Sequence, residues 1–432
     1  MSVVANQAQI IPVEAVVFRK DLYPRFTPDA ATIQRYQDSL EVLPPIEVNQ
    51  RMELIDGYHR WNAHKDAGVA EVPAMVTQTE SDDHLLELAI DRNAKHGMQL
   101  SQDDKRKMAV RLFTSRQRSE DDLAKLLSVS SKSVQRWLSD IKKVQREEQK
   151  SAVMDMWLAC FSDAEIAERV DVDAKTIGRW TKESGILDSC PNSQKVAAQY
   201  QEADWQTPLY NVWRWNKDDD TAVDHFGNSH VGIVDRLLYL FTEPFDVVVD
   251  PFAGAGSTVD ICRKRMRRYW CADRRVKSGL AEQKHIRTRD IAEGPPNYLP
   301  WSDVKLLYLD PPYWKQAEGQ YSDDPSDLAN MDQDIFYDVL TSYVKSAAKK
   351  MASGSHVAIL IQPTQWRSGP DREVVDHVVD LCKRLDNGSI RLIQRISCPY
   401  TSQQANPQMV EWAKANKRLI VLTRELMVFE VA

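Results

Sequence analysis

Apolar positions along the 432 residues fall into three regimes. Up to about residue 98, short apolar runs at 13–18 and 53–55 alternate with turns, a proline-bounded helical stretch at 30–40 and a second helix after Gly57. That mixture predicts a small α+β domain. From 99 to 186 the spacing is helical and repeats itself, residues 123–137 aligning with 166–180 at an offset of 43. Each copy has a short amphipathic helix opened by a serine (Ser119, Ser162), a turn around a valine (Val129, Val172), and a second helix carrying Lys, Arg and Trp at matching places. Residues 187–205 lose apolar periodicity and predict a linker. Beyond 206, continuous apolar runs at 247–250, 268–273, 306–309 and 356–362 alternate with amphipathic helices at 231–241, after 257, at 334–351 and at 373–385; two long β-patterned runs, 390–396 and 419–429, close the domain. Uninterrupted apolar runs are strands buried on both faces, so this part predicts a doubly wound sheet. The expected fold class is multidomain α/β.

Length alone implies two or three domains. The six cysteines show no CxxC or Cys/His spacing, so free thiols in a reducing compartment are expected and no metal site is. No leader pattern and no membrane-length apolar stretch stands out, which points to the cytoplasm. A net charge of −7 hides a pattern: −6 over residues 1–100, +5 over 101–150, −11 over 151–262, +9 over 263–289 and −4 over 290–432. The second basic block holds Arg263, Lys264, Arg265, Arg267 and Arg268, for which a polyanion is the expected partner.

Two turns carry the chemistry. Asp250-Pro251-Phe252-Ala253-Gly254-Ala255-Gly256-Ser257 ends one strand and opens a helix, so that glycines admit a ligand to the backbone and helix N–H groups face it. Asp310-Pro311-Pro312-Tyr313 leaves another strand at its carboxyl end, the edge where open α/β sheets bind ligands. Each alone is a common turn; together they resemble the amino-methyltransferases of DNA, with cofactor motif DPFxGxG and catalytic motif (D/N/S)PPY. The resemblance implies S-adenosylmethionine held by Asp250, Pro251, Phe252, Gly254, Gly256 and Ser257, with Asp273 at the next strand end on the ribose hydroxyls. It also implies that Asp310 and the Pro311 carbonyl accept the two N–H bonds of an exocyclic amine, freeing its lone pair to attack the sulfonium methyl. Pro312 would stiffen the turn, and Tyr313 would stack on the flipped base. Family frequency favours adenine N6 over cytosine N4, and no Pro-Cys dipeptide is present for attack at cytosine C5. In similar enzymes the catalytic half comes first, so the order here looks like a circular permutation, and Phe245 stands where that family carries Gly. The polar segment 315–331 is expected to form a mobile loop over the site.

Further upstream, Leu54-Ile55-Asp56-Gly57-Tyr58-His59-Arg60 and the stretch 91–101 (DRNAKHGMQLS) resemble the ParB and sulfiredoxin-like superfamily, whose GxxR turn binds nucleotide phosphates. Nucleotide contacts from Gly57, His59, Arg60, Asn93 and His96 are implied, although the Glu-Arg-Arg form of CTP-binding members is absent. A plain helix start, with His59 and Arg60 facing solvent, is the equal alternative. The helical repeat resembles tandem helix-turn-helix units, whose second helix enters the major groove of duplex DNA. That implies DNA contacts from Lys132, Gln135 and Arg136 in the first unit and Lys175 and Arg179 in the second, with Trp137 and Trp180 in the core. The expected order is a ParB-like domain (1–98), a helix-turn-helix region (99–186), a linker (187–205) and a methyltransferase domain (206–432). The leading reading is a DNA amino-methyltransferase. Its rival is a ParB-like DNA-binding regulator whose methyltransferase fold is inert or senses cofactor. Whether the chain forms a homodimer is left open.

Overall fold

The computed structural model describes residues 8–24, 29–95, 100–116, 118–182, 210–215, 229–276, 279, 283–319, 321–365, 374–400 and 407–432. Two compact units divide the chain, Met1–Glu147 and Glu148–Ala432. The division falls inside a continuous helix within 99–186, and the expected linker 187–205 lies outside the described residues.

In the first unit β1 (Gln9–Pro12), α1 (Ala30–Gln37), β2 (Ile46–Val48), β3 (Leu54–Asp56), α2 (Tyr58–Asp66), β4 (Glu71–Val76) and α3 (Asp82–Lys95) follow in order. The strands pair as β1-β4-β2-β3, with β2 and β4 parallel. Trp61 of α2 packs with Ile11, Ile46, Val48 and Val72 and donates from Nε1 to the Val13 carbonyl at 3.0 Å, so its polar end is satisfied inside the core. A second core, mostly helical but taking in Leu22 and, from β3, Ile55, joins α3 to α4 (Gln102–Arg116), α5 (Glu120–Leu126) and the first turns of α6 (Ser131–Leu158) through Ile90, Met108, Leu112, Leu123, Val134 and Leu138. Ser119 caps α5 by accepting from the Asp122 N–H, as its position before the apolar run predicts.

The second unit opens with the last turns of α6, whose Val153 and Met156 meet Ile166 of α7 (Asp163–Val170) and Ile177 of α8 (Ala174–Lys182). Ser162 and Glu165 form a capping box at the start of α7. Then come α9 (Val231–Phe241), β5 (Val247–Asp250), α10 (Ser257–Lys264), β6 (Arg268–Asp273), β7 (Arg287–Thr288), β8 (Val304–Leu309), α11 (Gln333–Ala348), β9 (His356–Ile361), β10 (Thr364–Gln365), β11 (Val374–Val375), α12 (His377–Leu385), β12 (Ile390–Pro399), α13 (Pro407–Asn416) and β13 (Thr423–Val431). Seven strands make one sheet in the order β12-β13-β9-β8-β5-β6-β7, parallel except for β13, which runs antiparallel to both neighbours. Val247, Val249, Trp270, Leu307 and Ile359 bury against one layer and Val248, Tyr269, Leu306, Tyr308 and Leu360 against the other. Both faces are therefore covered, which is why these strands read as unbroken apolar runs. Several boundaries differ from expectation: α11 ends at Ala348 and not 351, and β13 begins at Thr423 and not 419. Val374 and Val375 pair with β10, so α12 starts at His377 behind an Asp376 cap rather than at 373.

Phe245 takes the left-handed conformation (φ 71°) that a glycine adopts without cost. Its ring packs beside Trp157, centroids 5.8 Å apart, at the end of α6. Partial burial of a large side chain against Trp157 thus works against the backbone strain where the resembled family uses Gly.

Candidate active site

From β5 the chain passes outward through β6 and β7, then returns to β8 on the other side of β5. Adjacent strands whose crossovers diverge leave a crevice at their carboxyl ends, and the two motif turns sit there. A cavity of about 420 Å³ is lined by both, including Asp250, Phe252, Gly254 and Ser257 from the first, Asp310 and Pro312 from the second, and Asp273 from the end of β6.

The first turn is tied to β6. Ala253 N–H donates to the Ala272 carbonyl (2.9 Å) and Gly254 N–H to Asp273 Oδ2 (2.9 Å), while Arg275 N–H donates to Asp273 Oδ1 (2.9 Å). Gly254 has φ 48°, and a Cβ built on it meets no atom within 4 Å, because its open side is the cavity. At Gly256 (φ 81°) a Cβ would press on Lys284 Cδ at 2.6 Å and Ile286 Cδ1 at 2.9 Å, so that glycine serves packing. Asp250 is buried and accepts from Thr258 Oγ1 (2.5 Å) and the Phe252 N–H (2.8 Å). Burial pushes its carboxyl up to about 7, against the pull of those two donors. Ser257 opens α10, and Pro251 and Phe252 line the cavity wall.

At the second turn, Asp310 is bonded on both oxygens. Ser229 Oγ donates to Oδ2 at 2.5 Å and Tyr313 OH to Oδ1 at 3.2 Å. Arg424, buried on β13, donates from Nη1 to Ser229 Oγ at 2.8 Å and lies 4.5 Å over the Tyr400 ring. Burial raises the Asp310 carboxyl above its ordinary range, while Ser229, Arg424 and Tyr313 draw it back. The sequence reading misses Ser229 and Arg424 altogether.

The basic block behaves otherwise than expected. Arg265 and Arg267 are buried, the first paired with Asp235 and the second held by Thr242 Oγ1 (3.0 Å) and the Thr242 carbonyl (2.6 Å). Arg268 lies 4.4 Å over Trp157 and Arg287 4.6 Å over Phe161. Their guanidiniums reach the Trp157 carbonyl (3.4 Å) and the Ala159 carbonyl (3.0 Å), at the negative end of α6. Arg263 donates to Tyr269 OH at 3.0 Å, leaving Lys264 as the exposed member of the five. These charges fasten the helical segment to the sheet instead of forming a polyanion surface. The segment 315–331 does border the cavity through Tyr321, Ser326, Asp327, Leu328 and Met331. It is anchored, however, by the Arg274–Asp324 ion pair (2.6 Å), by Arg275 on the Tyr321 carbonyl (2.6 Å) and by the buried Ala329.

Lys132, Gln135 and Arg136 are exposed on the first turns of α6 at i, i+3 and i+4, hence on one face. Lys175 and Arg179 are exposed on α8 with the same spacing. Trp137 and Trp180 are half-buried against their helical cores. In the N-terminal sheet domain Gly57 (φ 99°) precedes α2, and a Cβ there would meet Ile46 Cγ2 at 2.8 Å. His59 is buried and its Nε2 accepts the Asp29 N–H (2.9 Å), while Arg60 pairs with Asp56 (2.9 Å) and keeps a buried Nε without a hydrogen bond. The alternative of a solvent-facing His59 is thereby excluded. Buried Asn93 donates to the Ala89 carbonyl (2.8 Å) and accepts from Tyr23 OH, which also receives the Tyr58 N–H (3.4 Å). His96 lies outside the described residues. Among the described residues no helix is long and apolar enough to cross a membrane, and no group of His, Cys, Asp or Glu could hold a metal ion.

A ParB N-terminal domain family matches residues 3–94, and a DNA methylase family matches residues 95–277. The second match takes in the cofactor turn and stops short of Asp310. No curated protein matches the chain. Among solved structures, ParB of Caulobacter crescentus complexed with CTP-γ-S is 24% identical, covering 30% of this chain and 76% of that one with a TM-score of 0.19. TrmN of Thermus thermophilus is 14% identical over 47% of this chain, which spans only 48% of TrmN, at a TM-score of 0.31. A Burkholderia thailandensis 1,6-didemethyltoxoflavin-N1-methyltransferase is 13% identical, covering 47% of this chain and 76% of that one, at 0.29. The chain thus joins a ParB N-terminal domain to a DNA methylase-family region on a mostly parallel α/β sheet.

Proposed function

We propose that the chain transfers a methyl group from S-adenosylmethionine to the exocyclic amine of a base extruded from DNA, adenine N6 favoured over cytosine N4. The observation that carries this is the shared cavity: the Gly254–Asp273 pair and Asp310 border one space at the switch point of the sheet. Cofactor and acceptor amine can therefore meet without a movement of the fold. Asp250, Asp273 and Asp310 surround that space with carboxyl groups, a field suited to a ligand carrying a sulfonium and an ammonium. The residues that would hold the cofactor are Asp250, Pro251, Phe252, Gly254, Ser257 and Asp273, with Gly256 of the same motif closing the turn by its packing against Lys284 and Ile286, and bound cofactor would supply the electrophilic methyl. Asp310, with the Pro311 carbonyl, accepts the amine hydrogens and turns the nitrogen lone pair toward that methyl. Pro312 makes the turn rigid, and Tyr313, hydrogen-bonded to Asp310, offers a ring whose stacking is worth about 1–3 kcal/mol per base, comparable with the cost of extrusion. The rival reading, an inert fold carried by a DNA-binding regulator, gives no reason for an aspartate enclosed at this edge at the cost of desolvation. Long-read sequencing of host DNA with and without the expressed chain tests the proposal; an unchanged methylation pattern at every adenine and cytosine amine overturns it.

Duplex DNA is the proposed partner of the exposed rows on α6 and α8, and the four-way division at 98, 186 and 205 remains the proposed domain organisation. Replacing Lys132 and Arg136 by Ala should weaken duplex binding about tenfold and lower the slope of log affinity on log salt by about 2, one per lost phosphate contact. Lys349 and Lys383, exposed on the sheet domain, serve as the charge control. Equal losses from both pairs in fluorescence anisotropy titrations would show bulk charge at work and not a docked helix.

Nucleotide binding at the start of α2 is proposed through Arg60, whose unsatisfied Nε and neighbouring helix N–H groups suit a phosphate. His59 and Asn93 are buried and engaged in their own hydrogen bonds to Asp29 and Ala89, and His96, outside the described residues, is a candidate from the sequence resemblance alone. Calorimetry with CTP, ATP and ADP should register weak binding that disappears in Arg60→Ala. Absence of heat with all three in wild type, with and without DNA, leaves the domain as an adaptor.

A further inference from the structure

Arg424 stands near the start of β13, beside the buried Glu425 and ahead of the apolar run Leu426, Met427, Val428 and Phe429. It is 4% exposed, and its Nε is enclosed without a hydrogen-bond partner. A guanidinium so placed costs stability that a leucine would not, so its charge needs a use. That use is visible two bonds away: Nη1 donates to Ser229 Oγ at 2.8 Å, and Ser229 Oγ donates to Asp310 Oδ2 at 2.5 Å. Tyr400 stacks on the other side of the guanidinium, 4.5 Å from ring centroid to Cζ, and its hydroxyl donates to Gln362. The arginine is therefore clamped in one position.

We propose that Arg424 is a positioning residue for methyl transfer, which through Ser229 keeps the Asp310 carboxylate charged and aimed at the substrate amine. This deepens the methyltransferase reading and rests on it. A protonated Asp310 would present an O–H on one oxygen and lose its strength as an acceptor, so the amine would stay conjugated with its ring. The groups that face Asp310 are Arg424 from β13, Tyr308 from its own strand, Tyr313 beside it, Tyr321 from the segment bordering the cavity, Cys398 and Tyr400 at the end of β12, and Asp250 from β5. Arg424 is the cation among these described groups. Burial acts against ionisation of Asp310, and the Ser229 hydrogen bond and the Arg424 charge offset it. The hydroxyl of Ser229 has a second effect, because it occupies one lone pair of Oδ2 while Tyr313 occupies one of Oδ1. Both oxygens are thereby held in one orientation at the edge of the cavity that Asp310 lines.

The test compares Arg424→Gln, Arg424→Lys and Ser229→Ala in the full chain, reading kcat against pH and S-adenosylhomocysteine affinity by calorimetry. Removing a positive charge lets the Asp310 carboxyl rise further, so the acid limb of the kcat profile should move to higher pH. A displacement of about one unit corresponds to about a tenfold loss below the limb, recovered as pH is raised. Arg424→Lys should restore most of the loss, Ser229→Ala should reproduce a smaller displacement, and cofactor affinity should stay within about twofold of wild type. A loss of the same factor at every pH, with affinity intact, overturns the proposal and makes Arg424 a packing residue. Should Arg424→Gln fail to fold, an unmoved profile in Ser229→Ala overturns it equally. Difference infrared spectra of the Asp310 carboxyl, assigned with Asp310→Asn, follow its protonation in wild type and Arg424→Gln without turnover. An unshifted Asp310 midpoint sinks the pairing by itself, whereas a wild-type chain that methylates no DNA sinks only the reading beneath it.

Discussion

Methyl transfer to DNA falls by about a thousandfold or more in Asp310→Ala while cofactor binding survives. The carboxylate acts on the amine as its nitrogen rehybridises, so its contribution belongs to the transition state and not to the bound cofactor. Its geometry supports the separation, since Asp310 is bonded to Ser229 and Tyr313, and the cofactor turn is held by Asp273 and Ala272 instead. Removing it also strands the Arg424 charge behind Ser229, so some loss of thermal stability should accompany the loss of rate. Asp310→Asn, which keeps the shape and removes the charge, separates the two effects and should lose nearly as much rate with a smaller change in melting temperature. Tritium transfer from labelled cofactor to duplex DNA gives the rate, and calorimetry with S-adenosylhomocysteine gives the binding. Transfer in Asp310→Ala at near the wild-type rate would remove the aspartate from the mechanism.

What the chain reveals before folding depends on how local the cause is. The two motif turns are legible because a buried strand, a tight turn and a helix start are consecutive in sequence, and the cavity places both where the strand ends predict. The serine caps at 119 and 162 are legible for the same reason. The Arg424–Ser229 bond spans 195 residues, and TRELMVFEV reads as an ordinary strand, so nothing local separates this arginine from a solvated one. The basic block misleads because composition counts guanidiniums without saying what lies beneath them. Here they lie over Trp157, Phe161 and Tyr269 and cap the end of α6. Phe245 shows the converse case, since a residue that breaks a turn rule is compensated by a ring, Trp157, from a helix far away in sequence. The helix-turn-helix repeat conceals that α6 is a single helix of 28 residues, because two copies of a pattern joined by continuous helical spacing look the same as two separate ones.

Cofactor affinity should drop about 10- to 100-fold in Asp273→Ala, the size expected from one or two lost hydrogen bonds to a charged group. Its two oxygens receive the Gly254 and Arg275 N–H groups, and the residue lines the cavity, so its carboxylate stands where the ribose hydroxyls of the proposed cofactor would donate. Part of the loss comes from the turn itself, which gives up its hydrogen bond to Asp273 and with it the close approach of backbone to ligand. Gly254→Val separates the contributions. The Asp273 carboxylate remains, but a branched side chain must adopt φ near 48° and its Cβ projects into the open space. That variant should lose more than a hundredfold, through occupied volume and backbone strain together. Gly256→Ala is the informative comparison, because its Cβ meets Lys284 and Ile286 rather than the cavity, so it should lower the melting temperature and leave affinity less affected. Calorimetric titration with S-adenosylhomocysteine, alongside thermal melts, distinguishes these outcomes. If Asp273→Ala and Gly254→Val both bind as wild type while folding normally, the cofactor lies elsewhere and the shared cavity loses its meaning.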